Sequence, residues 1–352
     1  MNNTVIPHSR PSLDRNDSDA VSRVIRSGNI AQGKIVAEFE REMATYIGSR
    51  GAIATSSGTA SLHLALVALE IGHGDHVAIP SFVCTALLNV IRYVGATPIL
   101  VDINRETYNM DTRHLKKKIT RSTKAIILPH LFGLPADIDD VISLGIPVIE
   151  DCAQSVGAVY RGKMVGSYGT LSCFSFYATK VFSTGEGGMV TSNSKKLLKK
   201  ISDLREYDNR KNYITRYNYK MTDIHAALGL SQLKKLKTFL TKRVSIAEIY
   251  SSELQGFCKI PSLSYEDRSH IFYRFIIQIS GSVSNALRQI SQQGVMCARP
   301  IYKPIHKYLH FSGFPASELA QKNSLSLPIY PTLSKREICT VLDVLKKYCT
   351  TS

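Results

Sequence analysis

The chain has 352 residues, which exceeds a typical single domain and predicts a large domain followed by a smaller one. Its hydrophobic fraction of 44% and charged fraction of 20% are typical of globular proteins. No stretch approaches the roughly 18 consecutive apolar residues of a membrane-spanning helix, which argues against a membrane span. Because residues 1–10 lack the apolar segment of a secretory signal, we expect a cytoplasmic protein.

The formal net charge of +16 invites a nucleic-acid interpretation, since basic surfaces attract phosphate. The lysines, however, occur in short groups within helical patterns, as at residues 116–118, 195–200 and 234–235. Such groups are typical of solvent-exposed helix faces, so we predict no nucleic-acid partner. A diphosphate-linked substrate would benefit from the same positive field.

Seven cysteines are scattered along the chain without a CxxC pair. An odd number without regular spacing is typical of a reducing compartment and argues against a disulfide framework or a zinc ribbon. We therefore predict no metal site.

Between residues 51 and 192, apolar runs typical of strands alternate with helical patterns, which predicts a sheet covered by helices. Several runs are apolar at consecutive positions, as expected for strands buried on both faces. The predicted strands are residues 77–80, 98–102, 125–129, 148–151, 171–176 and 188–191. The predicted helices are residues 59–69 and 194–204, a helix with Asp223 as its N-cap, and a further helix from about residue 244 to Gly256.

The pattern then changes to a βαβ-like unit, and we place the domain boundary near residue 245. Residues 1–244 are predicted to form the large domain, with an N-terminal arm to about residue 31, and residues 245–352 the small C-terminal domain. The small domain is predicted to contain a strand at 270–279, a helix at 284–293 ended by Gly294, a strand at 295–299 and a helix at 335–348.

The most informative segment is residues 148–188, where one apolar strand ends in Asp151 and a second ends in Ser175. Lys180 follows in a turn rich in Thr, Ser and Gly. A lysine amine can condense with the aldehyde of pyridoxal 5'-phosphate (PLP), and a carboxylate at a strand end can pair with its pyridine nitrogen. Each residue alone has an ordinary explanation as a surface lysine or a helix cap, but ligands gather at the carboxyl ends of strands. The combination predicts a PLP site.

A second candidate feature is the small-residue segment 55–60, which precedes the helix beginning near Thr59. Free amides at a helix N-terminus bind a phosphate dianion, and small residues allow close approach. Taken alone, the segment favours an ordinary Ser/Thr helix cap over a phosphate site.

The chain contains eight informative strings, which are in order SSGTASLHLAL, GDHVAIPSF, GATPILVDI, HLFGLP, IEDCAQSVGA, FSFYATKVFSTGEGGMV, RYNYKMTDIHAALGLSQL and IYKPIH. Together they resemble the DegT/StrS-type family of nucleotide-sugar aminotransferases, and the resemblance extends from about Ser27 to Pro331. The resemblance implies an α/β protein of PLP fold type I, with a mostly parallel central sheet flanked by helices and a smaller C-terminal α/β domain.

The resemblance also implies roles for individual residues. Lys180 is similar to the Schiff-base lysine, Asp151 to the partner of the pyridine nitrogen, and Gln154 to the residue beside the ring hydroxyl. The residues that resemble the family's phosphate cradle are Gly58, Thr59 and Ser175.

Further positions resemble the family's shared and substrate-facing residues. Asn218 resembles an asparagine that reaches the cofactor phosphate of the other subunit, which implies a homodimer with shared active sites. Lys220 lies where the family often has a basic residue near substrate. Tyr302 and His306 belong to the segment that resembles the one closing over the active site, where packing at the domain junction is the alternative.

Two departures from the family pattern stand out. Cys84 occupies the position of the aromatic ring that stacks on the cofactor in the family, and a thiol offers less stacked area. The alternative is that Cys84 is a buried apolar cysteine without a chemical role. Tyr207 and Asp208 stand where many sugar-acting members have His-Gly, so the exact sugar stays open.

We therefore predict that the enzyme transfers an amino group, from a donor such as glutamate, to a nucleotide-linked keto-sugar in surface polysaccharide or glycan biosynthesis, with pyridoxamine 5'-phosphate (PMP) as the intermediate. Three alternatives stay open. They are a PLP-dependent sugar dehydratase, which in the family has histidine in place of Lys180, a cyclitol aminotransferase, and more remotely a regulatory or nucleic-acid-binding protein.

Overall fold

A computed structural model describes residues 5–351 of the chain. Helices and strands alternate between residues 51 and 151, as predicted, and strands without intervening helices follow from residue 148 to residue 192. The elements of this first part are α1 Arg15–Ser27, α2 Lys34–Ile47, β1 Gly51–Thr55, α3 Gly58–Ala68, β2 His76–Pro80, α4 Ala86–Tyr93, β3 Thr97–Val101, α5 Thr112–Lys118, β4 Thr123–Pro129, a 3-10 turn Leu131–Gly133, α6 Ile138–Ile142, β5 Val148–Asp151, β6 Val159–Tyr160, β7 Lys163–Met164, β8 Leu171–Ser175, β9 Gly188–Ser192 and α7 Lys195–Leu204.

The second part is richer in helices. It contains α8 Asp223–Leu254, β10 Phe275–Gln278, α9 Val283–Gln292, α10 Ile305–Tyr308, α11 Pro315–Asn323, β11 Ser324–Leu327 and α12 Lys335–Thr351. None of the described helices is both long and apolar enough to cross a membrane.

Seven strands form the central sheet in the order β1-β9-β8-β5-β4-β2-β3. Neighbours from β8 to β3 pair in parallel, and β9 runs antiparallel to both of its neighbours. The mostly parallel sheet confirms the predicted fold class, and each of the six predicted strands is present. Their continuous apolar runs follow from burial under helices on both faces.

Two apolar cores cover the two faces of this sheet. One contains Phe39 and Met43 of α2 with Leu236 of α8, and the other contains Leu64 of α3 and Ile201 of α7. Because helices shield both faces, the carboxyl ends of β4, β5 and β8 remain as the open edge on which a site can form.

The small C-terminal unit differs from the predicted βαβ-like unit. Its sheet has two antiparallel strands, β10 and β11. The predicted strand 295–299 is wrong, because Val295 bridges to Ile6 while Ala298 bridges to Ser326, which divides its pairing between two neighbours. The predicted strand 270–279 is shortened to β10, because the amides of residues 271 and 274 instead donate to carbonyls of the turn at residues 132–133.

Helix α8 is continuous, so the predicted separate helix from residue 244 is wrong. Neither glycine nor proline interrupts residues 230–254. The buried side chains of α8 pack against different parts of the protein along its length. Leu236 packs in the core beneath the large sheet, and Tyr250 packs with the small C-terminal unit. The domain boundary near residue 245 falls within this helix and stays a prediction.

Asp223 is not the N-cap of α8. The N-cap is Thr222, whose hydroxyl accepts a hydrogen bond from the amide of His225. The buried Asp223 carboxylate instead accepts from the amides of Gly33, Ile35 and Val36, at 2.8, 3.3 and 2.9 Å. It caps α2, whose own N-cap Gly33 has no side chain.

Replacing Asp223 with Ala should lower the stability of the protein by about 2 kcal/mol, because three helix N-terminal amides lose a charged acceptor in a buried place. Thermal and urea unfolding midpoints measure the loss. Asp19→Ala is the matched control, since Asp19 lies 3.9 Å from Arg15 on the surface and its loss should cost less than ~0.5 kcal/mol. Equal midpoints for the two variants would contradict the capping role.

Candidate active site

A cavity of about 270 Å³ opens at the carboxyl edge of the central sheet. It is lined by the last residues of two neighbouring parallel strands, Asp151 of β5 and Ser175 of β8. The cavity brings together six of the residues predicted from the sequence, which are Gly58, Thr59, Cys84, Asp151, Ser175 and Lys180. Their chain segments are distant in sequence, so the sheet topology is what assembles them.

Asp151 is the buried acid of this cavity. Its Oδ1 atom accepts a hydrogen bond of 3.0 Å from the amide of Ala153. Burial raises the pKa of this carboxyl, although the Ala153 amide and the positive charge of Lys180 act in the opposite direction. A buried carboxylate with so few donors favours a cationic partner, which a protonated pyridine nitrogen would supply.

The other end of the cavity suits a phosphate group. Ser57 caps α3 through its hydroxyl, which accepts from the amide of Ala60 at 3.1 Å. The amides of Gly58 and Thr59 have no hydrogen-bond acceptor among the described residues, and both residues line the cavity. A Cβ atom on Gly58 would lie 2.7 Å from the Cβ atom of Ser175, so only glycine allows this close approach. The residues present therefore fit PLP at both of its charged ends.

Cys84 lies in the same cavity as the other candidate cofactor residues. Cys84 is exposed to solvent at the cavity, so it is not the buried apolar cysteine of the alternative, and desolvation by the cavity walls together with the carboxylate of Asp151 raises the pKa of its thiol. The side chain is therefore a neutral, polarizable group at neutral pH.

Directly beside the cavity, Glu150 forms a buried network with His130. Its carboxylate oxygens accept five hydrogen bonds of 2.6 to 3.1 Å, and the donors are His130 Nε2, the amides of Gly166, Tyr168 and Gly169, and the hydroxyl of Ser172. Burial opposes its charge, but the hydrogen bonds with His130 and the amides hold the pKa of Glu150 below its usual value.

The same network contains the one group of metal-type ligands among the described residues, His130, Glu150 and Cys152, with ligand atoms within 4.8 Å of one another. His130 Nδ1 already accepts from the amide of Ala136 at 3.1 Å. With the lone pairs of both His130 and Glu150 engaged, this arrangement fits a hydrogen-bond network better than a metal site.

Gln154, Asn218 and Lys220 do not line the cavity of the single chain. Gln154 Oε1 accepts a hydrogen bond of 2.8 Å from the amide of Phe132. Lys220 forms an ion pair of 2.9 Å with Asp208, and Asn218 is exposed. Their roles at the cofactor or substrate stay predictions.

Tyr302 and His306 also lie away from the cavity. Tyr302 is 80% exposed on a separate groove. His306 is buried, with Nδ1 2.6 Å from the hydroxyl of Ser81 and its ring stacked on Phe314. His306 therefore packs the C-terminal segment onto the end of β2, and any contact with substrate stays a prediction.

Sequence reasoning missed several residues near Lys180. Tyr177 and Glu186 line the cavity, and both lie within the informative segment of residues 148–188. The ring of Tyr273 lies 5.5 Å from Lys180 Nζ. No signal in the sequence pointed to Tyr273, because it is far away along the chain.

Comparison with known proteins identifies the family. Residues 11–346 match the DegT/DnrJ/EryC1/StrS aminotransferase family. The chain belongs to this family. It is 33% identical to the GDP-perosamine synthase of Escherichia coli O157:H7, over 97% of this chain and 98% of that protein. It is 36% identical to the GDP-perosamine synthase of Caulobacter vibrioides, over 95% and 96% of the two chains.

Solved structures agree with this membership. The proposed sugar aminotransferase Spr1654 of Streptococcus pneumoniae, in its PMP form, has a TM-score of 0.94 at 28% identity, covering 98% of this chain and 99% of that chain. Its PLP form has a TM-score of 0.93 at 28% identity, covering 99% of both chains. The protein is therefore a PLP-dependent sugar aminotransferase of fold type I. The predicted family, fold and cofactor are confirmed.

Proposed function

We propose that this enzyme transfers an amino group from glutamate to a keto-sugar linked to a nucleoside diphosphate, in the cytoplasm, for polysaccharide biosynthesis. The observation that carries the proposal is a single cavity that contains an amine, Lys180, a buried carboxylate, Asp151, and the free amides of a helix N-terminus. The relatives named as GDP-perosamine synthases support a nucleotide-linked substrate, and the net charge of +16 suits a diphosphate.

In this proposal Lys180 is the catalytic residue, and it carries the cofactor between turnovers. Asp151 would pair with the pyridine nitrogen and keep it protonated. Gly58, Thr59 and Ser175 would hold the phosphate. When bound, PLP supplies an electron-accepting ring that stabilises negative charge on the carbon from which a proton is removed.

The proton transfers are the work of Lys180. Its released amine, when neutral, would take a proton from the carbon of the amino donor, and the resulting ammonium would return that proton to the cofactor carbon on the other side of the transferred nitrogen. In the second half-reaction the same amine moves a proton in the reverse direction, onto the carbon of the sugar. Asp151 stays ionised beside a cationic partner, since the pairing removes the cost of its isolated burial.

A spectroscopic titration tests this proposal. Adding glutamate to the purified enzyme should abolish the visible absorption band of bound PLP, and one member of a panel of keto-sugar nucleotides and cyclitol ketones should restore it. Lys180→Ala should abolish turnover while keeping the unfolding midpoint, because the proton-moving amine is lost. Lys163→Ala, at an exposed lysine, is the matched control and should keep full activity. Full turnover by Lys180→Ala would refute the assignment.

The active sites are proposed to be shared within a homodimer, with Asn218 reaching the cofactor phosphate of the partner subunit. Asn218 is exposed and absent from the lining of its own cavity. It lies near an exposed apolar surface in the same loop, where Tyr213 is 93% exposed and Ile214 43%. Exposed apolar side chains grouped in this way favour a protein partner.

Mixing two inactive variants tests the sharing. Lys180→Ala and Asn218→Ala chains should each have low activity at limiting cofactor. After co-refolding or co-expression, half of the random dimers are hybrids, and each hybrid has one site with both residues intact, so about a quarter of wild-type activity should return. If Asn218 serves its own subunit, the mixture gains nothing over its components.

Cys84 is proposed to limit the affinity for PLP. Replacing it with Phe should tighten cofactor binding by about fivefold, because an aromatic ring adds stacked area against the cofactor ring. Fluorescence titration of the apoprotein with PLP measures the affinity. Cys84→Ser is the control of similar size and should not tighten binding. Weaker binding by Cys84→Phe would mean that the cavity has no room for the ring.

A further inference from the structure

Three cations surround Tyr273, a buried tyrosine for which the proposed reaction has no use. Lys180 Nζ lies 5.5 Å from the centre of its ring and Arg274 Cζ lies 5.6 Å from it. Arg243 Nη1 donates to the backbone carbonyl of Tyr273 at 3.2 Å. Among the described residues, none of these three cations forms an ion pair with a carboxylate.

The two arginines are held by the fold rather than by acids. Arg243 is buried in α8, and its Nη1 atom also donates to the carbonyls of Phe272 and Ile329, at 3.2 and 3.0 Å. Arg274 Nη1 is a buried donor without a hydrogen-bond partner in the described part of the chain. Positive charge therefore accumulates around one phenol ring, and the nearest carboxylate that acts on Lys180, that of Asp151, lies beyond ion-pair distance from it.

The environment of the phenol reflects this accumulation. Burial raises the pKa of Tyr273, but the charges of Lys180, Arg274 and Arg243 and a hydrogen bond with Thr179 outweigh it and lower the pKa to about 8. The imidazole of His8, beside the two arginines, adds no charge, because burial and the arginines lower its pKa to about 3. Burial raises the pKa of other tyrosines, such as Tyr46 and Tyr250.

We propose that Tyr273 is a positioning residue for Lys180, which holds the lysine amine over its ring and balances the positive charge around it. The face of an aromatic ring attracts an ammonium group. Lys180 lies in the turn between β8 and β9 and Tyr273 in the segment before β10, so the contact of the amine with the ring joins these two segments. This inference rests on the proposed role of Lys180.

The consequence for Lys180 is local control of its charge. The nearby cations stabilise the ionised form of the phenol, and both the ring face and an ionised phenol attract an ammonium group. A lysine that must take and return a proton in each half-reaction gains from such a partner, because the ring holds the amine in place while its charge changes.

Titration of the apoprotein tests the charge pairing without any turnover. The difference in tyrosinate absorbance between wild type and Tyr273→Phe isolates one phenol among the 17 tyrosines, and its midpoint should lie near pH 8. The same difference measured in a Lys180→Ala background should move to higher pH, because one cation is removed. Tyr46→Phe is the control, and its difference should titrate above the usual tyrosine pKa. A Tyr273 midpoint unchanged by Lys180→Ala would overturn the inference.

A second measurement, on the PLP-loaded enzyme, separates the contribution of the Tyr273 ring from that of its hydroxyl. Tyr273→Phe keeps the ring, so it should shift the pH profile of kcat and leave KM for both substrates unchanged. Tyr273→Leu also removes the ring and should lower kcat by about a further fivefold. An unchanged pH profile in a folded Tyr273→Phe enzyme would refute the inference. Because the apoprotein titration needs no activity, its result remains interpretable if the proposed function fails.

Discussion

A carboxylate without access to solvent holds the open edge of the sheet together. Glu150 accepts hydrogen bonds from His130 just beyond β4, from the turn that contains Gly166 and Gly169, and from Ser172 within β8. Removing one partner of a buried charge leaves a large desolvation cost uncompensated, so these segments are fixed relative to β5. The cavity walls depend on this fixation, because Asp151 is the next residue along the same strand.

The adjacent acids Glu150 and Asp151 illustrate how one strand serves two purposes. Neighbouring side chains of a strand point to opposite faces of the sheet, so the two carboxylates have separate surroundings. Five donors stabilise the charge of Glu150, whereas Asp151 has the amide of Ala153 and the more distant charge of Lys180. The protein itself supplies the hydrogen bonds that stabilise the Glu150 carboxylate. The Asp151 carboxylate gains its strongest stabilisation only when a cationic group binds beside it. The same chemical group therefore stabilises the fold at one position and suits ligand binding at the next.

The central sheet and the cavity were predictable because their signals are local. A strand buried on both faces has a run of apolar residues in the sequence. Asp151 and Ser175 end two such runs, and Lys180 follows in the turn after the second. Contacts between distant segments have no such signal. The Asp223 carboxylate looks like a cap for its own helix, yet it serves α2. Likewise, β10 pairs with β11 across a long stretch of chain, and Tyr273 lies beside Lys180 although the two are far apart in sequence. Neither periodicity nor composition encodes such contacts.

The position of β1 at the edge of the sheet has a consequence for biosynthesis. Its residues 51–55 pair with residues 188–192 of β9. The amides at the start of α2 donate hydrogen bonds to the carboxylate of Asp223, which is also far away along the chain. As the ribosome releases the chain from its N-terminus, the first two helices and β1 emerge long before these partners exist. Such long-range closure slows folding and leaves apolar surface uncovered in the interval. The nascent N-terminal segment therefore keeps apolar side chains exposed until residues 188–223 have been synthesised.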